Sequence, residues 1–137
     1  MPEPSKTPLP QKLGIKPGSS LYVLNGPGQF LKMLEPIPDG VRFVSRAENL
    51  DLIVLFAASS ADLGPFDSLV NALEPSGGLW VAWPKKASGV PTDLSFEIVQ
   101  QLGLSGGLVD NKVCAIDEIW TGLRFVHRRE TRPKTRS

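Results

Sequence analysis

Histidine and cysteine are nearly absent from this chain, which has one of each, His127 and Cys114. A lone thiol cannot close an internal disulfide, and one imidazole with one thiolate falls short of a structural zinc's four ligands, so both staples are excluded. No apolar run approaches the ~20 residues of a membrane-spanning helix, which excludes a membrane anchor. The opening Met1-Pro2-Glu3-Pro4-Ser5-Lys6-Thr7-Pro8-Leu9-Pro10 has four prolines and no apolar core of the kind a secretory signal carries. With the single thiol, this predicts a reducing cytoplasm. His127, between a strand-like run and Arg128-Arg129, has neither a neighbouring nucleophile nor a second imidazole and reads as a structural or surface residue. Cys114 reads as a small hydrophobe.

A chain of 137 residues, 41% of them hydrophobic, has the make-up of one globular domain able to bury its own core. The net charge of +1 conceals an asymmetry. Residues 124–137 hold Arg124, Arg128, Arg129, Arg132, Lys134 and Arg136 against Glu130, a tail of +5 on a body of −4. Residues 1–17 read as a flexible proline-rich arm, 18–127 as a single domain and 128–137 as a basic disordered tail. Such a tail serves either as a solubilising end or as a collector of nucleic-acid phosphates.

Within the domain, Leu21-Tyr22-Val23-Leu24 reads as a strand, Asn25-Gly26-Pro27-Gly28 as a tight turn, and Phe30, Leu31 and Leu34 as the apolar side of a two-turn helix. Val41 to Val44 alternates as an edge strand, and Leu50 to Phe56 is apolar enough for a central one. Phe66, Leu69, Val70 and Leu73 recur at helical spacing. Gly78 to Trp83 is a second buried strand. Thr92 or Asp93 caps a helix with Leu94, Ile98 and Leu102 on one face and Gly103 as its stop. The runs Leu108–Ile116 and Ile119–Val126, separated only by Asp117-Glu118, must pair as an antiparallel hairpin.

Chemistry concentrates where the strand Gly78–Trp83 breaks at Pro84 into a basic, hydroxyl-rich loop. Lys85, Lys86, Ser88, Thr92 and Asp93 predict an anion or nucleotide phosphate pocket at a strand's carboxyl end, with the next helix's free N–H groups contributing. A solvated loop with an ordinary cap explains the same residues. Asn25, Gly26 and Gly28 would form a second wall of that crevice, although a tight turn alone also requires glycine. Ser59 and Ser60 would add hydroxyls between them, or act as helix caps.

The turn Leu24 to Gly28, the run Leu50-Asp51-Leu52-Ile53-Val54 with its later Leu73-Glu74-Pro75-Ser76-Gly77-Gly78, and the closing hairpin together resemble the class I methyltransferase form of the Rossmann-like fold, over about residues 18–127. That resemblance implies S-adenosylmethionine as cofactor, held by a glycine-rich first turn and an acid ending the second strand. In this chain the turn has two glycines around a proline, and the second strand ends at Ser45 with Glu48 the nearest acid. Between Gly28 and Leu50 there is space for one strand only, a strand and a helix fewer than the full fold. More narrowly, residues 83–94 and 113–123 resemble a small bacterial family of uncharacterised function, which implies the fold and a bacterial cytoplasm but no activity.

These readings converge on a three-layer α/β sandwich, its sheet parallel in the centre with an antiparallel hairpin at one edge, reduced relative to class I methyltransferases. The function they favour is non-catalytic binding of a small anion, a nucleotide or a protein partner beside Lys85 and Lys86, with no metal. The alternatives are an S-adenosylmethionine-dependent methyltransferase-like enzyme and a nucleic-acid accessory protein using residues 128–137.

Overall fold

The computed structural model describes residues 8–45 and 49–128. The first seven residues of the proline-rich arm, Glu48, and the basic tail beyond Arg128 lie outside the described residues. Six strands form one sheet: β1 (Ser20–Leu24), β2 (Arg42–Phe43), β3 (Leu50–Phe56), β4 (Leu73–Pro84), β5 (Leu108–Ala115) and β6 (Trp120–His127), in the order β2-β1-β3-β4-β6-β5. The first four in that row run parallel, and β6 joins antiparallel to both β4 and β5. The expected hairpin is present, although β6 rather than β5 lies against β4. As Arg42 suggested, β2 is the sheet edge, and the interval from Gly28 to Leu50 holds one strand among its described residues.

The central strands are apolar on both faces because both faces are covered. Along β3, Ile53 and Leu55 point to a cluster completed by Leu79, Val81, Leu123 and Phe125 under helices α3 (Phe66–Ala72) and α4 (Phe96–Ser105). The alternate residues Leu52, Val54 and Phe56 point the other way. They pack with Trp80, Ala82 and Ile116 under α1 (Leu9–Leu13) and α2 (Phe30–Met33). Each fully buried large side chain contributes roughly 1.5–3 kcal/mol by leaving water. The three-layer α/β sandwich is thus the direct outcome of strands with no polar face.

Several local expectations need correction. Residues 9–17 are no arm: α1 ends at Gly14 in a left-handed conformation, and Leu13 and Ile15 are buried. Helix α2 is a single turn whose Leu31 is 54% exposed, leaving Phe30 and Leu34 to face the core. Helix α4 begins later than predicted, capped by Ser95, whose hydroxyl accepts from the Ile98 N–H. The shift turns Ile98 outward, 47% exposed, and puts Val99 and Gly103 on the buried stripe. Gly103 is therefore not a stop; a Cβ there would strike the Phe125 ring, so this glycine lets α4 lie directly on β6.

Candidate functional site

Strands β1, β3 and β4 all end at one edge of the sheet, where open α/β sheets place their ligands. The loop leaving β4 carries the two lysines. Lys85, half-buried, is fixed through its backbone, whose N–H donates to the Ile119 carbonyl at 2.7 Å. Lys86 is exposed on the short 3₁₀ turn Lys86–Ser88 that follows. Both line a cavity of about 310 Å³ with Trp83, Pro84, Leu94 and Phe96. Among the described residues no carboxylate pairs with either ammonium. Glu97, in the first turn of α4, adds an acidic residue to the same cavity, and Thr121 of β6, whose hydroxyl donates to the Cys114 carbonyl at 3.5 Å, also lines it. The cavity thus has an apolar floor and a charged rim, a combination suited to an organic anion with an apolar body.

The hydroxyls expected to converge on that ligand are engaged in building the loop. Ser88 Oγ donates to the Lys85 carbonyl at 2.6 Å and accepts from the Val90 N–H, while Thr92 Oγ1 accepts from the Leu94 N–H. Asp93 caps nothing. Its carboxylate accepts from Ser60 twice, from the backbone N–H at 2.9 Å and from the hydroxyl at 2.7 Å. These bonds hold the Asp93 carboxyl below its usual range, the Ser60 hydroxyl having the larger effect. Ser59 donates its N–H to Asp62, which also accepts from the Ala58 N–H, so Ser59 belongs to a turn cap. Ser60 and Asp93 are brought together, tying the β3 exit to the lysine loop.

The first turn stands apart. Asn25 has φ of 60°, and a Cβ on Gly26 would lie 2.8 Å from Val23 Cγ1, so the turn's own packing explains that glycine. Gly28 differs: a Cβ there would meet nothing within 4 Å, and its φ is not left-handed. Gly26 and Gly28 line a separate cavity of about 300 Å³ with Val23, Pro27, Phe30 and Leu31. That cavity and the lysine cavity share no lining residue, and Asn25 lines neither. Phe56 stands between neighbours of both regions, edge-on to Phe30 at 4.8 Å and to Trp120 at 5.0 Å.

Remaining candidates sit elsewhere. His127 Nε2 lies 3.3 Å from the Leu73 carbonyl oxygen, at the opposite end of β6 from the lysine loop. Cys114 is buried, and that burial pushes its thiol above the ordinary value. Asp117 Oδ1 accepts from the Ile119 and Trp120 N–H groups at 2.8 Å each, a turn role. No group of three potential metal ligands occurs among the described residues, and no described helix is long and apolar enough to cross a membrane. Of the cavity lining, Trp83, Pro84, Leu94, Ser95, Phe96, Glu97 and Thr121 are not among the residues the sequence singles out for a ligand; a phenylalanine in the first turn of a helix, off its buried face, is the signal it offers.

No protein-family model and no curated protein matches the chain. Solved structures are similar to it in fold. An O-methyltransferase from neocarzinostatin biosynthesis, in complex with S-adenosylmethionine and 2-hydroxy-5-methyl naphthoic acid, superposes with a TM-score of 0.53 at 13% identity, covering 81% of this chain and 49% of that one. The PH0226 protein from Pyrococcus horikoshii superposes with a TM-score of 0.52 at 11% identity, covering 88% and 87%. An S-adenosylmethionine-dependent methyltransferase from Aquifex aeolicus gives 0.50 at 18% identity, covering 84% and 85%. The chain spans about half the length of the neocarzinostatin enzyme. At these identities the likeness establishes fold alone, and that fold is a truncated class I methyltransferase-like Rossmann sheet closed by an antiparallel hairpin.

Proposed function

We propose that this protein holds a small organic anion at the carboxyl edge of its sheet without transforming it. The observation that carries this reading is the cavity in which Trp83, Pro84, Leu94 and Phe96 offer an apolar floor beneath Lys85 and Lys86. The ligand's charge would meet the two ammoniums, and its body the indole and phenyl surfaces. Its negative group also gains from the amino-terminal turn of α4, Ser95 to Glu97, on the cavity wall. Holding rather than chemistry is supported by three titratable groups that are engaged or remote, which leaves Glu97 as the carboxylate of the cavity. Asp93 is kept ionised by Ser60, Cys114 is buried in the apolar cluster, and His127 is at the far end of β6. Membership of the small bacterial family resembled by residues 83–94 and 113–123, and residence in a bacterial cytoplasm, belong to the same proposal.

A metabolite screen by thermal shift identifies the ligand, since binding to the folded form raises its apparent stability. Calorimetry then compares the parent with Lys85→Ala/Lys86→Ala. Loss of binding in the double variant is the expected result; equal affinity refutes the proposal.

A second reading is S-adenosylmethionine binding at the β1 exit, favoured by Gly28, whose missing side chain leaves the cavity beside Phe30 and Leu31 open. Calorimetry with S-adenosylmethionine tests it. Micromolar binding that Gly28→Val removes and Lys85→Ala/Lys86→Ala spares would establish this reading in place of the first.

A further inference from the structure

At the opposite, amino-terminal edge of the sheet lies a polar cavity of about 270 Å³, to which Lys16, Ser19, Asp51, Ser76 and Arg124 contribute. Its floor is an arginine laid across a glycine. A Cβ on Gly78 would sit 2.5 to 2.7 Å from Nε, Nη2 and Cζ of Arg124, so β4 accommodates the guanidinium only because position 78 has no side chain. Arg124 is half-buried, and burial alone lowers its affinity for its proton, with no carboxylate acting in the other direction. Its one protein partner among the described residues is Asn111 Oδ1, accepting from Nη1 at 3.4 Å. A guanidinium has five N–H donors in a planar fork, so most of this one is without an acceptor among the described residues.

The rest of the cavity wall is arranged around that cation. Asp51, the carboxylate present, is engaged with β1: its Oδ2 accepts from the Ser20 N–H at 3.0 Å and the Ser20 hydroxyl at 3.3 Å. Ser19 Oγ accepts from the Lys16 N–H, which leaves its own hydroxyl proton free to donate. Lys16 is exposed at the rim. Asp51 is the one carboxylate in this lining, set against two cations, Arg124 and Lys16, so the cavity keeps an excess of positive charge that a bound anion would offset.

We propose that this basal cavity is a second binding site, for the phosphate or carboxylate group of a small metabolite, gripped by the fork of Arg124 and completed by Lys16 and the Ser19 hydroxyl. It is separate from the lysine cavity in lining and in location, so neither site's failure decides the other's. Inorganic phosphate and succinate, each titrated against the full chain at constant sodium chloride, distinguish the two oxyanion sources. Amide shifts read by two-dimensional NMR should move at Ser19, Ser76 and Gly78, whether or not those of Lys85 and Lys86 move as well. Arg124→Lys keeps the charge and loses the fork, and should weaken binding about tenfold or more. Lys16→Gln, on an exposed side chain that does not bear on folding, should weaken it severalfold, while Lys85→Ala/Lys86→Ala should leave it unchanged. The proposal is overturned if neither anion moves the basal amides, if added chloride produces the same shifts, or if both basal variants bind as the parent does.

Discussion

Trp80 and Leu13 are joined across 67 positions by a buried hydrogen bond, the indole Nε1–H donating to the Leu13 carbonyl at 2.9 Å. Leu13 is the last residue of α1, whose terminal carbonyls have no partner within so short a helix. A second donor closes the same end, the Lys112 ammonium reaching the Lys12 carbonyl at 2.8 Å. The amino-terminal turn is thus bolted to the centre of the sheet and to the hairpin. Trp80→Phe keeps most of the apolar contact and removes the donor, so it should cost about 1–3 kcal/mol in equilibrium unfolding. A stability equal to the parent's would mean that α1 does not depend on this bond.

Gly103 is defined by what it permits. With α4 resting on the Phe125 ring, Gly103→Ala should lower stability by about 1–3 kcal/mol through overpacking, despite alanine's better helix propensity. Phe125→Leu in the same background should recover part of the loss, and a gain in stability for Gly103→Ala alone would disprove the close contact.

The Ser60–Asp93 tie has a defined pH response. Because Asp93 is held below the ordinary carboxylate range in the folded state, the stabilisation it gives is fully present above that range. It is lost as pH falls through the lowered folded value. The Ser60 amide shift should therefore titrate with a midpoint below that of a free aspartate, and the transition should vanish in Asp93→Asn. A midpoint at or above the free value would contradict the bond.

Much of the fold is legible in the sequence because the strands carry it. Leu52 to Phe56 and Gly78 to Trp83 have no polar face, which demands cover on both sides, and two residues between the last runs permit only a hairpin. Leu13 and Ile15 were not legible, since a five-residue helix offers too little periodicity and its prolines suggest extension. The site was half legible. Lysines after a buried strand mark the edge where a ligand would bind, but whether Ser88, Thr92 and Asp93 face that ligand depends on which backbone groups the loop leaves unpaired. Phe96 and Glu97 stand in the first turn because Ser95, not Thr92 or Asp93, begins the helix, while Thr92 accepts from the Leu94 N–H and the Asp93 carboxylate from Ser60.

Strand β4 runs from the basal arginine slot to the lysine loop. Gly78 and Lys85 stand seven positions apart in sequence, roughly 23 Å along an extended strand. At physiological ionic strength charges are screened within about 8–10 Å, so an anion at one end exerts little direct electrostatic force at the other. Energetic effects of substitutions at Arg124 and at Lys85 and Lys86 should accordingly sum, and a single stiff strand would be the ruler that keeps the two proposed sites from competing.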